Sequence, residues 1–504
     1  IDQPAFGIKE KYLRHSSNFT NEIDSYKTFI RKSVLLLRPH LSIDAVNVEI
    51  EKIIDFETKL VKATTRKGKN PKMDNKPTSL TNLEKRQKIK WIQFFETLFQ
   101  EAEEKFTGSE PVFMRDYDYF DSLNDILKQT EKRQEKNVEM RNNIIEFQRV
   151  QIALKHVPSA FEECYSNTLN EFKIAFGFQY IQDHYDSRMT KEVEKLIHFL
   201  KLSMTLSIQS NGWMDNGAKL SAQKKLNEMT AQIAKPSWLK TESDVNKFYA
   251  KLGSITGENY CANFIQLNKW KRSEMYHQLH NTCEKAVWHW ELISAKAMYN
   301  INENQITFPA GILQPPFYLI DGLASMNFGT LGNIVSHEII HGFDDISSIM
   351  ETDGDFDDWS RRKTYEQFSS KTQCFINQYS NYEDDFNKNI DGSLTLKENI
   401  ADNGGLRRAF MAYKLYKIMN QGKVSLRLPF QMQKFNDEQL FFISFGNSWC
   451  AKTRFSSGEF SEDKKHSSTR WRVIGSLSNF NEFSRVFSCR KNSEMNPSHK
   501  CTLW

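Results

Sequence analysis

One stretch constrains this chain more than any other: Ser336-His337-Glu338-Ile339-Ile340-His341-Gly342-Phe343-Asp344-Asp345. It contains His-Glu-x-x-His. On an α-helix, side chains four apart lie on one face, a turn apart. His337 and His341 can therefore grip one metal ion, for which Zn²⁺ is the usual guest. The segment must then be a helix, with another element beside it to complete the coordination. Glu338 would sit next to the ion, where a base takes a proton from water. The plain alternative is two ordinary histidines on a partly buried helix. The motif needs a third ligand.

Downstream, Thr395-Leu396-Lys397-Glu398-Asn399-Ile400-Ala401-Asp402 opens a second helical pattern, continued by Leu406, Phe410, Tyr413 and Leu415. Zinc hydrolases commonly combine two histidines with a carboxylate and leave a position for water. Glu398 is the candidate carboxylate. Asp402, one turn on, can hold a histidine ring by its other nitrogen. Thr395-x-x-Glu398 also reads as a capping box. From this segment alone, ligation and capping both stand.

These two blocks resemble the signatures of the neprilysin family of zinc metallopeptidases: His337 to Asp345, and Glu398-Asn399-Ile400-Ala401-Asp402-Asn403-Gly404-Gly405-Leu406. Three further blocks agree. They are Phe308-Pro309-Ala310-Gly311-Ile312-Leu313-Gln314-Pro315-Pro316-Phe317, then Arg470-Trp471-Arg472-Val473-Ile474-Gly475 with His466 before it, and the ending from Cys489 to Trp504. The five blocks stand in the family's order over residues 297–504. The resemblance implies a mainly α fold: two helical lobes around a central cavity, with a thermolysin-like zincin catalytic lobe carrying a small β-sheet.

The resemblance also assigns roles. His337, His341 and Glu398 would hold one Zn²⁺ ion. Glu338 would be the base that activates zinc-bound water and later delivers the proton to the leaving amine. His466 resembles the donor to the oxyanion, and Arg472 the arginine that bonds the substrate carbonyl. Asp344 and Asp402 resemble the carboxylates that orient the histidines, Asp402 belonging also with the catalytic set. Lys296-Ala297 matches an edge strand that binds substrate backbone through an Asn-Ala pair. Here Lys296 replaces the asparagine, and an ammonium donates but does not accept. The pocket beyond the scissile bond would be walled by Ile312, Phe317, Asn333, Ile334, Ser448 and Trp449. Asn333 and Ser448 stand where apolar residues are usual, so this pocket is expected to be more polar. After Asp345, Ile346-Ser347-Ser348 replaces the usual Asn-Gly-Arg.

At 504 residues, the chain is long enough for two lobes. The boundary is expected near 257, giving an N-terminal-side helical lobe over 1–257 as an incomplete roof and the catalytic lobe over 258–504. With 12 Pro and 21 Gly, disorder is disfavoured and helices are favoured. Apolar periodicity predicts helices at about 30–60, 91–99, 144–154, 161–178, 193–206 and 218–229. Residues 59–90 are the most basic part, but the first half of that run lacks the interleaved aromatics of a nucleic-acid site, so it reads as a solvated loop leading into a helix. No apolar run has the length of a membrane span, and no signal-peptide pattern opens the chain.

Ile1-Asp2-Gln3-Pro4-Ala5-Phe6-Gly7 resembles a segment inside the family's N-terminal lobe, which implies that the stalk and first part of that lobe are missing. The seven cysteines fit an incomplete ectodomain. The resemblance pairs Cys374 with Cys501 and assigns Cys164, Cys450 and Cys489 to partners in the missing part. Cys261 and Cys283 form a further candidate pair. Asn18-Phe19-Thr20 is a candidate N-glycosylation site.

The leading reading is an extracellular or cell-surface zinc endopeptidase, expected to be a monomer with a homodimer as the alternative. Its partners would be short peptides cut on the amino side of hydrophobic residues. The alternative is a catalytically impaired, truncated homologue acting as a binding or structural ectodomain. An aminopeptidase would need an anchor such as Gly-x-Met-x-Asn, which is absent.

Overall fold

The computed structural model describes residues 10–38, 40–64, 77–87, 89–99, 105–113, 119–123, 126, 160–257, 260–277, 288, 291–344, 362–384, 389–420, 428, 430–451 and 465–504. Helices dominate them, with small sheets. Contacts divide the chain into two compact units, residues 1–167 with 255–282 and residues 168–254 with 283–504.

In the first unit, α1 (Thr20–Leu37) pairs with α2 (Ile43–Ala63). The helical periodicity expected over about 30–60 is carried by these two helices. α1 stops ahead of Pro39, whose ring disfavours helical backbone in the residue before it. α2 starts at Ser42, whose side chain accepts from the Ala45 N–H at 3.2 Å, which satisfies one of the helix's orphan donors. Val46, Ile50 and Ile54, spaced by four, turn one face of α2 onto Leu13, Ile23, Tyr26 and Ile30. A second small core gathers Leu80 and Leu83 of α3 (Leu80–Gln87), Trp91 of α4 (Trp91–Leu98), and Phe99, Phe106, Tyr119, Phe120 and Tyr276. α3 is the helix at the end of the basic run; residues 65–76 of that run lie outside the described residues.

The second unit carries one large core. α5 (Arg188–Ser210) buries Val193, Leu196, Leu200, Met204 and Ile208 at helical spacing. α6 (Asn216–Glu228) starts on Asp215, which accepts from the Ala218 N–H at 2.9 Å. It leads into a three-stranded sheet of order β1-β3-β2, made of β1 (Thr230–Ala234), β2 (Met298–Asn300) and β3 (Gln305–Pro309). β1 runs parallel to β3, Thr230 opposite Gln305; β2 runs antiparallel, Met298 opposite Thr307. All five residues of β3 are buried, and β2 is an edge.

α7 (Asn333–His341) follows a helical turn at Ala324–Asn327 and a wider one at Phe328–Gly332. After it come α8 (Arg362–Ser380), α9 (Leu396–Met419), α10 (Asp437–Ser448) and α11 (Thr469–Ser478). α9 is the hub, packed on α5, α7, α8 and α11. Its approach to α7 depends on Gly405: a Cβ there would lie 2.8 Å from the His337 backbone nitrogen. Phe410, Phe441, Phe442 and Phe480 pack ring against ring on its far side. Cys374 of α8 is disulfide-bonded to Cys501, the pairing that the resemblance implied.

By contacts, residues 168–254 group with residues 283–504. The cause is that β1 is a strand of the β3 sheet and α5 packs on α9. The helix expected at 161–178 is interrupted at Phe172, giving Ala160–Glu171 and Lys173–His184. The helix expected at 144–154, Cys283, Asp345 and Ile346-Ser347-Ser348 lie outside the described residues.

Candidate metal centre

The α7–α9 crossing brings together what the sequence separates. His337 and His341 share one face of α7, and their Nε2 atoms lie 3.0 Å apart. Glu398, in the first turn of α9, places Oε2 3.2 Å from His337 Nε2 and 3.5 Å from His341 Nε2. The capping-box alternative is not what forms. Thr395 makes no side-chain cap; its hydroxyl donates to the Asp391 carbonyl at 2.9 Å and accepts from the Asn399 amide. The Glu398 carboxylate is left to face the histidines.

Each imidazole is held from behind. His337 Nδ1 lies 2.9 Å from Asp402 Oδ1, and His341 Nδ1 lies 2.7 Å from Asp344 Oδ2. Both carboxylates are almost fully buried, with 3% and 2% exposure. A carboxylate that accepts from Nδ1–H favours the tautomer whose Nε2 can bind a metal ion. Arg472 Nε and Nη2 both donate to Asp402 at 2.7 Å, and its guanidinium lies over the Trp449 ring at 4.1 Å. His466 Nε2 approaches Glu398 Oε2 to 2.9 Å.

Burial opposes charge on His337, as does its neighbour His341, yet the contacts with Asp402 and Glu398 raise its pKa. His341 is raised well above its ordinary value: burial again opposes, and Asp344 and Glu398 prevail. Burial would raise Glu398, but His337, His341 and His466 hold it far below the usual carboxylate range. Asp402 is likewise lowered against burial by Arg472 and His337.

The donor set fits a divalent cation. Glu398 Oε2 is buried and makes no well-aligned hydrogen bond, although three ring nitrogens surround it. Two imidazole nitrogens and a carboxylate oxygen crowded this closely need positive charge among them, as ring protons or as a bound metal ion. Two nitrogens and one oxygen are the ligand types zinc accepts, and the three donor atoms lie within 4.8 Å of one another.

The remaining predicted residues fall as follows. Glu338 follows His337 on α7 and is 8% exposed. Lys296 is exposed and Ala297 half-buried just ahead of edge strand β2. Ile312 is buried, and Phe317 and Ile334 are half-buried. Asn333, one turn before His337, is 1% exposed, and its Oδ1 has no partner. Ser448 donates to the Phe445 carbonyl at 2.7 Å, and Trp449 closes α10. Asn18 is exposed at the end of a short turn.

Sequence reasoning missed two supports. Ser467 donates to Asn399 Oδ1 at 2.8 Å, tying the residue after His466 to the residue after Glu398. Asn403 bonds Tyr379 and Asn479 in a buried polar network under α9. Short polar side chains carry no periodic signal, so only their burial reveals them.

Family comparison agrees with this geometry. Models of peptidase family M13 match residues 296–503 and, for its N-terminal part, 1–236. The chain is 30% identical to an endothelin-converting enzyme homolog of Locusta migratoria, over 100% of the chain and 72% of that protein. It is 28% identical to neprilysin-11 of Caenorhabditis elegans, over 99% of the chain and 61% of that protein. Two solved structures share the fold over the whole chain. They are PepO of Lactobacillus rhamnosis (TM-score 0.79, 19% identity, 79% of that chain) and the Mycobacterium tuberculosis zinc metalloprotease Zmp1 (0.76, 21%, 77%).

Proposed function

The chain belongs to peptidase family M13 as a neprilysin-like zinc metallopeptidase, and from that premise we propose that the α7–α9 centre hydrolyses short extracellular peptides. The observation that carries this reading is the convergence of His337, His341 and Glu398 with Glu338 beside them.

His337, His341 and Glu398 would hold the ion. Zinc, when bound, supplies a Lewis acid that acidifies a water molecule and polarises a carbonyl. Glu338 takes the proton of the attacking water and returns it to the departing amine. His466 donates to the carbonyl oxygen as that oxygen gains charge. Arg472 keeps Asp402 in place with Nε and Nη2 and has Nη1 left to reach a substrate carbonyl. Asp402 and Asp344 orient the two rings.

The proposed cleavage lies on the amino side of a hydrophobic residue, in a pocket walled by Ile312, Phe317, Ile334 and Trp449 and modified by Asn333 and Ser448. Substrate backbone would pair with the edge near Lys296-Ala297. The names of the relatives support peptides as the substrate class. An extracellular or cell-surface setting is supported by the Cys374–Cys501 bridge, and Asn18 is the proposed glycosylation site. Among the described residues, no helix is long and apolar enough to cross a membrane.

The test is hydrolysis of a quenched fluorescent peptide by wild type, Glu338→Gln and chelator-treated protein, with zinc content measured. Zinc-dependent turnover that disappears in Glu338→Gln supports the peptidase and its base together. Stoichiometric zinc without turnover would instead favour the alternative, a non-catalytic binding ectodomain.

A further inference from the structure

A second group of metal-ligand side chains shares no residue with the zinc centre: Cys374 of α8, His499 and Cys501. One ligand atom from each lies within 4.8 Å of the others, and His499 Nε2 is 3.3 Å from Cys374 Sγ. The two sulfurs are joined as a disulfide. A disulfide has no need of an imidazole beside it.

The bridge is not the only thing that holds these residues in place. The Cys501 N–H donates to Asn479 Oδ1 at 3.0 Å, and the Cys501 carbonyl accepts from Arg407 Nη2 at 3.1 Å. Next to it, Lys500 Nζ donates to Ser484 Oγ at 3.0 Å. Two residues on, the Leu503 carbonyl accepts from Trp213 Nε1 at 3.1 Å, and the Trp504 ring packs against Trp213 and Phe343. Cys374 lies within α8, which packs on α9 and α11. With the S–S bond broken, these contacts keep both thiols beside His499.

Two thiolates and an imidazole are ligands that zinc accepts. Zn–S of about 2.3 Å and Zn–N of about 2.0 Å at a tetrahedral angle set sulfur and nitrogen about 3.5 Å apart, near the separation of His499 from Cys374. Cys501 is buried, with 3% exposure, Cys374 is half-buried and His499 is exposed. An ion can therefore reach the group from the His499 side, where water would complete the coordination.

We propose that Cys374, Cys501 and His499 form a second, redox-gated site for a thiolate-binding divalent cation such as Zn²⁺. It is closed while the disulfide stands and open once the disulfide is reduced. A dithiol supplies two electrons and two protons; the S–S bond breaks, and the dithiol leaves as its own disulfide. The ion then displaces the two thiol protons to solvent and takes the His499 Nε2 lone pair. This site is independent of the peptidase reading.

The test titrates Cd²⁺ into the full chain, oxidised and then reduced and desalted, and reads thiolate-to-cadmium charge-transfer absorption. The thiol-free centre of His337, His341 and Glu398 cannot give that band. The thiols of Cys164, Cys450 and Cys489 are free in both states and cancel in the difference. Wild type should gain one Cd²⁺ per chain on reduction. His499→Ala, an exposed change that keeps both cysteines, should weaken that ion about 10-fold or more, at least what loss of an outer partner costs. Cys374→Ser should abolish the gain. No difference band in wild type overturns the proposal, and so does unchanged affinity in His499→Ala. A band that survives Cys374→Ser places the thiolates elsewhere and also overturns it. So does loss of the near-ultraviolet circular dichroism on reduction, because the bridge alone would then be holding the chain's end. Should Cys374→Ser fail to fold, His499→Ala decides.

Discussion

The two units bury different things. In the first, α1 and α2 meet through Leu13, Tyr26, Ile30, Val46 and Ile50, and α3 and α4 through Leu80, Leu83 and Trp91. These are small, mostly apolar cores made by helical stripes, with isolated buried polar pairs such as Tyr26–Glu57 and Trp91–Gln87. In the second, α7 and α9 pack closely and bury His337, Glu338, Asn399, Asp402 and Asn403 at and around their crossing. Burying polar groups costs free energy unless each finds a partner. The cost is tolerated where a site is being built, with Asp402, Asp344, Ser467 and Tyr379 supplying the partners.

This contrast can be broken, and the largest lever is Glu338→Gln. It should cut peptidase turnover by about 10²–10⁴-fold, the usual worth of a general base, while stoichiometric zinc remains; a parallel loss of zinc would make Glu338 a structural group instead. Next is Ile50→Ala in α2, a fully apolar site with 2% exposure. It should cost about 2–5 kcal/mol of the first unit's stability, read by denaturant unfolding, and leave zinc affinity unchanged. A drop in zinc affinity would mean that the first unit shapes the centre.

Gly405→Ala tests the crossing itself. The new methyl meets the His337 backbone, so α9 must move, at about 1–3 kcal/mol; calorimetry and zinc titration should fall together. The smallest effect is expected from Ser467→Ala, which strands the buried Asn399 Oδ1 at about 1–3 kcal/mol. Turnover should fall with zinc content intact, because Ser467 secures the His466 segment and not the ligands. Loss of zinc in Ser467→Ala would erase that distinction.

Some of this was legible in the chain alone. Helical spacing places His337 and His341 on one face because the geometry is local and repeats every 3.6 residues. The stripes of α2 and α5 followed the same rule, and so did the helix opened at Thr395. The resemblance over five blocks supplied the fold class and the Cys374–Cys501 bridge, which the structure contains. Other features were not legible, for stated reasons. Glu398 as cap or ligand is undecidable from Thr395-x-x-Glu398, because both readings use the same spacing. Residues 168–254 carry no label saying which core their apolar faces join. Lys225 looks like any lysine on an amphipathic helix until burial and two aromatic rings surround it.

The sequence by itself determined the periodic faces of the helices and the pair of histidines one turn apart, since those depend on neighbours within a few residues. Only the tertiary structure decided that Glu398 turns to the histidines and that Asp402 and Asp344 stand behind them. The meetings of His337 with Glu398 and Asp402 join residues about 60 positions apart, and they exist only after the Gly405 crossing has closed that loop.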